Sequence, residues 1–259
     1  MITDNENKFS TLNNYFDHIY VLTIERADER HKKIKEELNG LNFSFFFGFD
    51  KQNLTIENLI KKNIYDPIGA KRRSRYNATM KLGEVACSMG HKAIYEDAVN
   101  NGYSKILILE DDVSINQEGI VLFNQIVNQL PINWDIIYFD YFKNEEKKLF
   151  TYFKQFIYHI QKSIGLLKWS HATINNLFAS NFSTNIKKAG YHDFASAYAI
   201  TLKAAKTLAN LQTPIVFPAD HVLPFAITNN LLNGYISIPK IFIQQSQLNK
   251  HEIGSYVEN

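Results

Sequence analysis

A chain of 259 residues with 45% hydrophobic and 21% charged residues has the composition of a folded globular protein, which excludes wholesale disorder. Its 28 Lys plus Arg against 26 Asp plus Glu leave a net charge of +2, too small to indicate a nucleic-acid partner. Cys87 is the single cysteine, so an intrachain disulfide is excluded, and beside Ala86 it reads as a small buried hydrophobe.

The N-terminal "MITDNENKFSTLNNYF" lacks the charged-then-apolar pattern of a secretory signal, and no window approaches the ~18 apolar residues that cross a bilayer. A cytoplasmic protein is expected, with any membrane contact peripheral. In chain order, "HIYVLTI" at 18–24 is a short β-branched apolar run that predicts a buried strand. "ERADERHKKIKEELNGL" then spaces Ile34 and Leu38 four apart among charges, a helix that Asn39-Gly40 terminates. "FSFFFGFD" at 43–50 predicts a second strand, giving the strand, helix, strand opening of α/β folds.

Residues 51–82 are polar and basic and read as short helices and loops, with "KRRSRY" at 71–76 either a phosphate contact or a solvated basic loop. "GEVACSMGHKAIYEDAVNNGY" predicts a helix stopped at Asn101-Gly102, followed by a third strand, "KILILE". "WDIIYFDY" at 134–141 and "FASAYAIT" at 194–201 predict further strands, "LKAAKTLANL" a short helix, and "GYISIPKIFIQQ" at 234–245 one or two closing strands. The stretch 142–190 interleaves Lys with Phe, Tyr, Leu and Trp169 without a strand rhythm. That composition suits a membrane interface or a helical excursion over a cleft.

The third strand runs "ILIL" directly into Glu110, Asp111 and Asp112. Ligand crevices of open α/β sheets lie at the carboxyl ends of strands, so a carboxylate cluster there is placed for a ligand, although "DDVS" also suits a capped turn. Three adjacent like charges raise one another's pKa values unless cations compensate, and carboxylate oxygens suit Mg²⁺ or Mn²⁺, ions that bridge substrate phosphates. Glu84 and His91 lie seven residues apart, close to two helical turns, and so share a helix face. The alternative is Glu84 favouring the helix dipole and His91 a satisfied core histidine.

"HIYVLTIERADERHKKIKEEL", "FFFGFD", "KLGEVACSMGHKAIYEDAVNNGYSKILILEDDV", "WDIIYF" and "FASAYAITLKAAKTLANLQTPIVFPADHVL", in this order, resemble glycosyltransferase family 25, the bacterial lipopolysaccharide or lipooligosaccharide glycosyltransferases. The resemblance spans roughly residues 17 to 245 and is carried most by the Gly-Glu-x-x-Cys-x-x-x-His block ahead of the acids. This chain has Gly90 where the family has Ser before that His.

The resemblance implies an α/β, GT-A-like nucleotide-diphospho-sugar transferase fold with a Rossmann-like, mostly parallel central sheet flanked by helices. It implies a polar N-terminal extension at 1–16, one catalytic domain at 17–245 with a basic, aromatic helical excursion at 142–190, and a C-terminal tail at 246–259. The implied reaction is metal-dependent, inverting transfer of galactose or glucose from a UDP-sugar to a lipooligosaccharide, lipopolysaccharide or related glycan. Peripheral contact with the cytoplasmic face of an inner membrane would accompany it.

By the same resemblance, Asp112 with Glu110 or Asp111 holds Mn²⁺ or Mg²⁺, and Asp220 of "FPADHV" is the base, a further metal contact or a helix N-cap. Arg26, Arg30, Asp50, Glu84, His91, Glu110 and Asp111 are the candidate donor-binding residues. A non-catalytic nucleotide-sugar or glycan-binding protein on the same scaffold is the alternative. A membrane-surface adaptor is another, whereas a phosphotransferase lacks its glycine-rich phosphate loop.

Overall fold

A computed structural model describes residues 7–245; residues 1–6 and the expected tail at 246–259 lie outside the described residues. The elements in order are α1 (Ser10–Tyr15), β1 (His18–Thr23), α2 (Asp28–Glu37), β2 (Ser44–Phe47), α3 (Ile56–Lys61), α4 (Pro67–Arg73), α5 (Leu82–Asn101), β3 (Lys105–Glu110), β4 (Val113–Ile115) and α6 (Gln117–Asn128). They continue with β5 (Ile136–Tyr138), α7 (Leu149–Ser163), α8 (His171–Asn175), β6 (Ser180–Asn181), β7 (Ile186–Lys188), β8 (Ala197–Thr201), α9 (Leu202–Leu211), α10 (Ala219–Thr228), β9 (Gly234–Ser237) and β10 (Phe242–Gln244).

Eight strands form one sheet in the order β2-β1-β3-β8-β5-β9-β7-β6, and β10 and β4 pair separately. β1 is parallel to β2 and β3, and β5 is parallel to β9. β8 runs antiparallel between β3 and β5, and β7 runs antiparallel to β9 and β6. All other strands of the sheet therefore share one direction, which is the mostly parallel α/β sheet expected.

The apolar runs of β1 and β3 are continuous because both faces of the sheet are covered. Strand alternation sends Tyr20, Ile106, Ile108, Tyr198 and Ile200 to one face, where α5, α9 and α10 supply Ile94, Tyr95, Ala204, Leu208 and Val222. It sends Ile19, Val21, Leu107 and Leu109 to the other face, against Leu12 of α1, Ile34 of α2 and Phe123 of α6. A smaller cluster, including Leu59, Tyr65, Met89 and Ile215, fixes the short helices α3 and α4 beside α5.

The predicted strands at β1, β2, β3, β8 and β9 and the helices α2, α5 and α9 are present. Asn39-Gly40 and Asn101-Gly102 end α2 and α5 as read, Gly40 and Gly102 taking φ of +98° and +69°, where a Cβ is disfavoured. Three readings change. "WDIIYFDY" is a strand only over Ile136–Tyr138, because Asp135 turns to accept from Lys203 and the Asn233 N–H. The 142–190 stretch is helical at α7 and α8 but ends in the β6–β7 hairpin, which extends the sheet edge. Within the segment read as a polar extension, Phe9, Leu12 and Phe16 are buried in the core. No helix among the described residues is long and apolar enough to cross a membrane.

Candidate functional site

The carboxyl ends of β1, β2 and β3 lie side by side, since β1 pairs in parallel with both neighbours. An open cleft forms there, lined by Arg30, Asp50, Lys51, Glu110, Asp111 and Asp112 among the charged residues, with Thr23, Gly48, Phe49, Cys87, Gly90 and Gln244. Gly48 and Gly90 let strand and helix backbones approach at its base. A Cβ on Gly90 would sit 3.1 Å from Leu22 Cδ1, so the side-chain-free position opens space in the cleft.

Strand alternation divides the three acids. Glu110 has the parity of Ile106 and Ile108 and meets the α5 face, where His91 Nε2 stands 3.4 Å from its Oε1. Asp111 has the parity of Leu107 and Leu109 and meets the α2 face. There Arg30 Nη1 donates to Asp111 Oδ1 at 2.6 Å and Thr23 Oγ1 donates to Asp111 Oδ2 at 2.5 Å. Both Asp111 carboxylate oxygens are thus partnered.

Those of Asp112 are not both partnered. It is buried, its Oδ2 accepts from Gln244 Nε2 at 3.2 Å, and its Oδ1 has no hydrogen-bond partner. Arg30 Nη1 is 3.9 Å from Asp112 Oδ2. Burial pushes the Asp112 carboxyl up to about 7, Glu110 and Asp111 add to that, and Arg30 and the Gln244 hydrogen bond oppose it. An orphaned buried carboxylate oxygen in an acid cluster is the feature a hard divalent cation would relieve, and Asp112 with Glu110 fits such an ion. Cys87, His91 and Glu110 also offer ligand atoms within 4.8 Å of one another, a set suited to a softer metal. Burial pushes the Cys87 thiol well up, with Glu110 and Asp220 adding to it, which works against the thiolate that such a site needs.

Arg26, itself outside the cleft lining, pairs with Asp50 of the cleft wall, and that guanidinium holds the Asp50 carboxyl below its usual range. Asp50 also accepts from the Gln52 N–H and begins the 3₁₀ turn at Lys51–Asn53. His91 is fully buried behind Glu110, its Nδ1 2.8 Å from the Tyr198 hydroxyl, which is 2.7 Å from that of Tyr95. Its place is to hold Glu110 rather than to line the cleft.

Glu84 departs from the donor-lining reading, although it shares a helix face with His91. Its carboxylate accepts from the Lys81 N–H at 2.7 Å in a capping box at the start of α5, and it does not line the cleft. Asp220 is likewise outside the cleft lining. The N-cap position of α10 is Pro218, so Asp220 belongs to the first turn rather than the cap. Burial raises its pKa, His221 opposes this, and the charges of Asp193 and Glu110 raise it further. Asp220 therefore stands within electrostatic reach of the strand-end acids.

Two further cavities share Trp169, Tyr191 and His221. Arg72 and Arg73 line one and Arg75 the other, so the "KRRSRY" segment faces these cavities and not the strand-end cleft. Sequence reasoning missed Gln244 and Phe49, and gave Asp140, which lies outside the cleft lining, no role. Gln244 carries no chemical signal of its own, whereas Asp140 shares with Glu110 the pattern of an acid closing an apolar strand.

The strand-end acids, with Arg30 beside them, lie at the crevice of a mostly parallel sheet, where such sheets bind their ligands. Residues 16–223 match the family described as "Glycosyltransferase family 25 (LPS biosynthesis protein)", and the chain belongs to that family. A "Glycosyltransferase 25 family member" of Anopheles gambiae is 26% identical over 228 residues, covering 82% of this chain and 32% of that protein. One from Drosophila melanogaster is 25% identical, covering 80% and 30%. The human "Inactive glycosyltransferase 25 family member 3" is 23% identical, covering 81% and 31%. The chain thus spans about a third of the length of these relatives. Among solved structures, apo mouse xyloside xylosyltransferase 1 aligns with a TM-score of 0.36 and 12% identity, over 83% of this chain and 62% of that one.

Proposed function

We propose that this chain is a metal-dependent glycosyltransferase of GT-A-like type. It moves galactose or glucose with inversion from a UDP-sugar to a lipooligosaccharide, lipopolysaccharide or related glycan. The observation that carries the proposal is the buried, unpartnered Asp112 Oδ1 beside Glu110 at the mouth of the strand-end cleft. Asp112 and Glu110 would hold Mn²⁺ or Mg²⁺, which when bound supplies Lewis-acid neutralisation of charge developing on the diphosphate leaving group.

The chain's own groups have distinct tasks. Arg30, anchored by Asp111, presents a fixed cation to the diphosphate side of the cleft. Phe49, 42% exposed at the cleft wall, offers a ring face to the nucleobase, and the Arg26–Asp50 pair offers polar partners to the uridine. His91 holds Glu110 in place from behind. Asp220, with its raised pKa, is the proposed base that takes the acceptor hydroxyl's proton during attack. The cavities around Trp169, Tyr191 and His221 would admit the acceptor glycan, since aromatic faces stack on sugar rings. A lipid-linked acceptor would be met at a membrane surface.

A binding protein without turnover is the second reading, favoured by the relatives named inactive. Screening UDP-sugars for hydrolysis and for thermal stabilisation, with and without Mn²⁺, separates the two. Turnover that requires the cation and is lost in Asp112→Ala is expected. Stabilisation without turnover for every UDP-hexose would leave only the binding reading, and an Asp112→Ala variant with unchanged turnover would refute the metal assignment.

A further inference from the structure

Helix α7 is amphipathic in the reverse sense to a core-packing helix. Gln155 is its buried residue, and its side-chain amide donates to the Ile174 carbonyl at 2.6 Å. On the same side, Tyr158 accepts from Arg75 Nη2 at 2.8 Å, and His159 hydrogen-bonds with His171 and Asn175 at 2.9 Å each. The polar face thus attaches the helix to the body of the protein. The opposite face carries Leu149, Phe153, Phe156, Ile160 and, at the C-cap, Ile164, spaced by three or four residues and therefore aligned in one stripe. These five are between 46% and 90% exposed, and Phe150 and Ile157 widen the stripe. An apolar face of this extent directed outward marks an interaction surface.

Charge decides the occupant. From residue 147 to 192 the sequence contains no Asp or Glu; Lys147 and Lys148 stand at the start of the helix, Lys148 3.6 Å from Glu146, while Lys154, Lys162 and Lys168 line the cavities on its polar side. A second copy of the chain would bring the same lysines against these, whereas an anionic bilayer surface offers acyl chains to the stripe and phosphates to the flanking ammonium groups. At 15 residues the helix is too short to span a bilayer and suited to lying in its interface.

We infer that α7 docks the protein on an anionic phospholipid surface, its Leu149–Phe153–Phe156–Ile160 stripe inserted below the headgroups and Lys147 and Lys148 among them. The helix also walls one of the two cavities that reach His221, since Lys154 and Tyr158 line it with Arg75 and His221. Docking therefore sets that cavity at headgroup level. This use of the cavity rests on the sugar-transfer reading; the docking itself does not.

The test is co-sedimentation of the full chain with vesicles of phosphatidylcholine alone or mixed with phosphatidylglycerol. Binding is expected to the anionic vesicles, weakening as salt is raised. The double variant Phe153→Glu/Ile160→Glu, altered only at exposed positions, should lose at least ten-fold in partitioning with unchanged Tm and unchanged UDP-sugar binding. Lys147→Glu/Lys148→Glu should lower binding to anionic vesicles. Equal partitioning of the Phe153→Glu/Ile160→Glu variant and the parent, or no binding to anionic vesicles at low salt, would overturn the inference. So would concentration-dependent dimerisation that the same variant abolishes, without vesicle binding. Vesicle binding that persists without turnover of any UDP-sugar would instead refute the transferase reading and leave docking intact.

Discussion

Gln244 joins Asp112 to a second buried acid: its side-chain amide donates to Asp112 Oδ2 at 3.2 Å, while its backbone N–H donates to Asp140 Oδ2 at 2.9 Å. Asp140 is fully buried, accepts from Ser196 Oγ at 2.8 Å and from the Tyr141 N–H at 2.9 Å, and faces Lys240 Nζ at 3.3 Å. Ser196 in turn accepts the Glu110 N–H through its carbonyl. One carboxylate therefore ties β10, the start of β8 and the acid cluster together. Asp140→Ala should destabilise the fold by about 3–5 kcal/mol, because it removes a buried carboxylate that the Ser196, Tyr141 and Gln244 donors share and that faces Lys240. Gln244→Ala should cost only about 0.5–1.5 kcal/mol. Urea unfolding of the two variants measures both, and equal costs would mean that Asp140 is not the anchor.

The raised Asp112 carboxyl makes stability depend on pH with a definite sign. Its pKa is about 7 when folded, against about 3.9 in an unfolded chain. Between those values the folded state holds a proton that the unfolded state has released, so stability falls as pH rises from about 4 to about 7. The loss is on the order of a few kcal/mol, and a divalent cation in the proton's place should remove much of it. Unfolding midpoints at pH 4.5, 6 and 7.5, with EDTA or with Mn²⁺, report this directly. Asp112→Asn should flatten the EDTA curve, and a wild-type curve already flat in EDTA would show that Asp112 ionises normally.

Glu84 should behave as a capping residue. Glu84→Ala removes the acceptor of the Lys81 N–H and should cost about 1 kcal/mol of stability while leaving UDP-sugar affinity unchanged. A thermal melt beside a donor titration checks it. A weakened donor affinity at unchanged Tm would return Glu84 to the cleft.

Much of the sheet was legible because β1 and β3 must be apolar on both faces, and a continuous run such as "ILIL" has few other destinations. The acids at its end were legible for the same reason. Their division of labour was implicit in the two-residue period, since the parity of Glu110 and Asp111 already assigns them to opposite faces. What sequence did not disclose depends on long-range placement. Gln244 reaches Asp112 across 132 positions, and an amide carries no pattern that announces this. Glu84 and His91 share a helix face, yet Glu84 is spent on the helix's own first turn while His91 reaches Glu110. The N-terminal Phe9 and Leu12 are isolated in polar surroundings, so their burial against α6 was invisible to local composition. The outward face of α7 could be read as an amphipathic helix, but only its polar contacts with Arg75 and Ile174 reveal which side faces the protein.

His91 links the core to the acid cluster, and its removal should be felt in both places. It is fully buried between Glu110 and the Tyr198–Tyr95 hydroxyl pair. His91→Ala opens a cavity and deprives the Tyr198 hydroxyl of a partner, a combined cost of about 2–4 kcal/mol. Glu110 also loses the ring that stands behind it, so the thermal shift produced by Mn²⁺ should shrink in His91→Ala beyond what the lower baseline Tm explains. His91→Gln keeps a polar group of similar reach and should recover most of the stability. Comparing Tm with and without Mn²⁺ across wild type and the two variants separates the roles. An undiminished Mn²⁺ shift in His91→Ala would confine His91 to the core and leave Glu110 held by the strand alone.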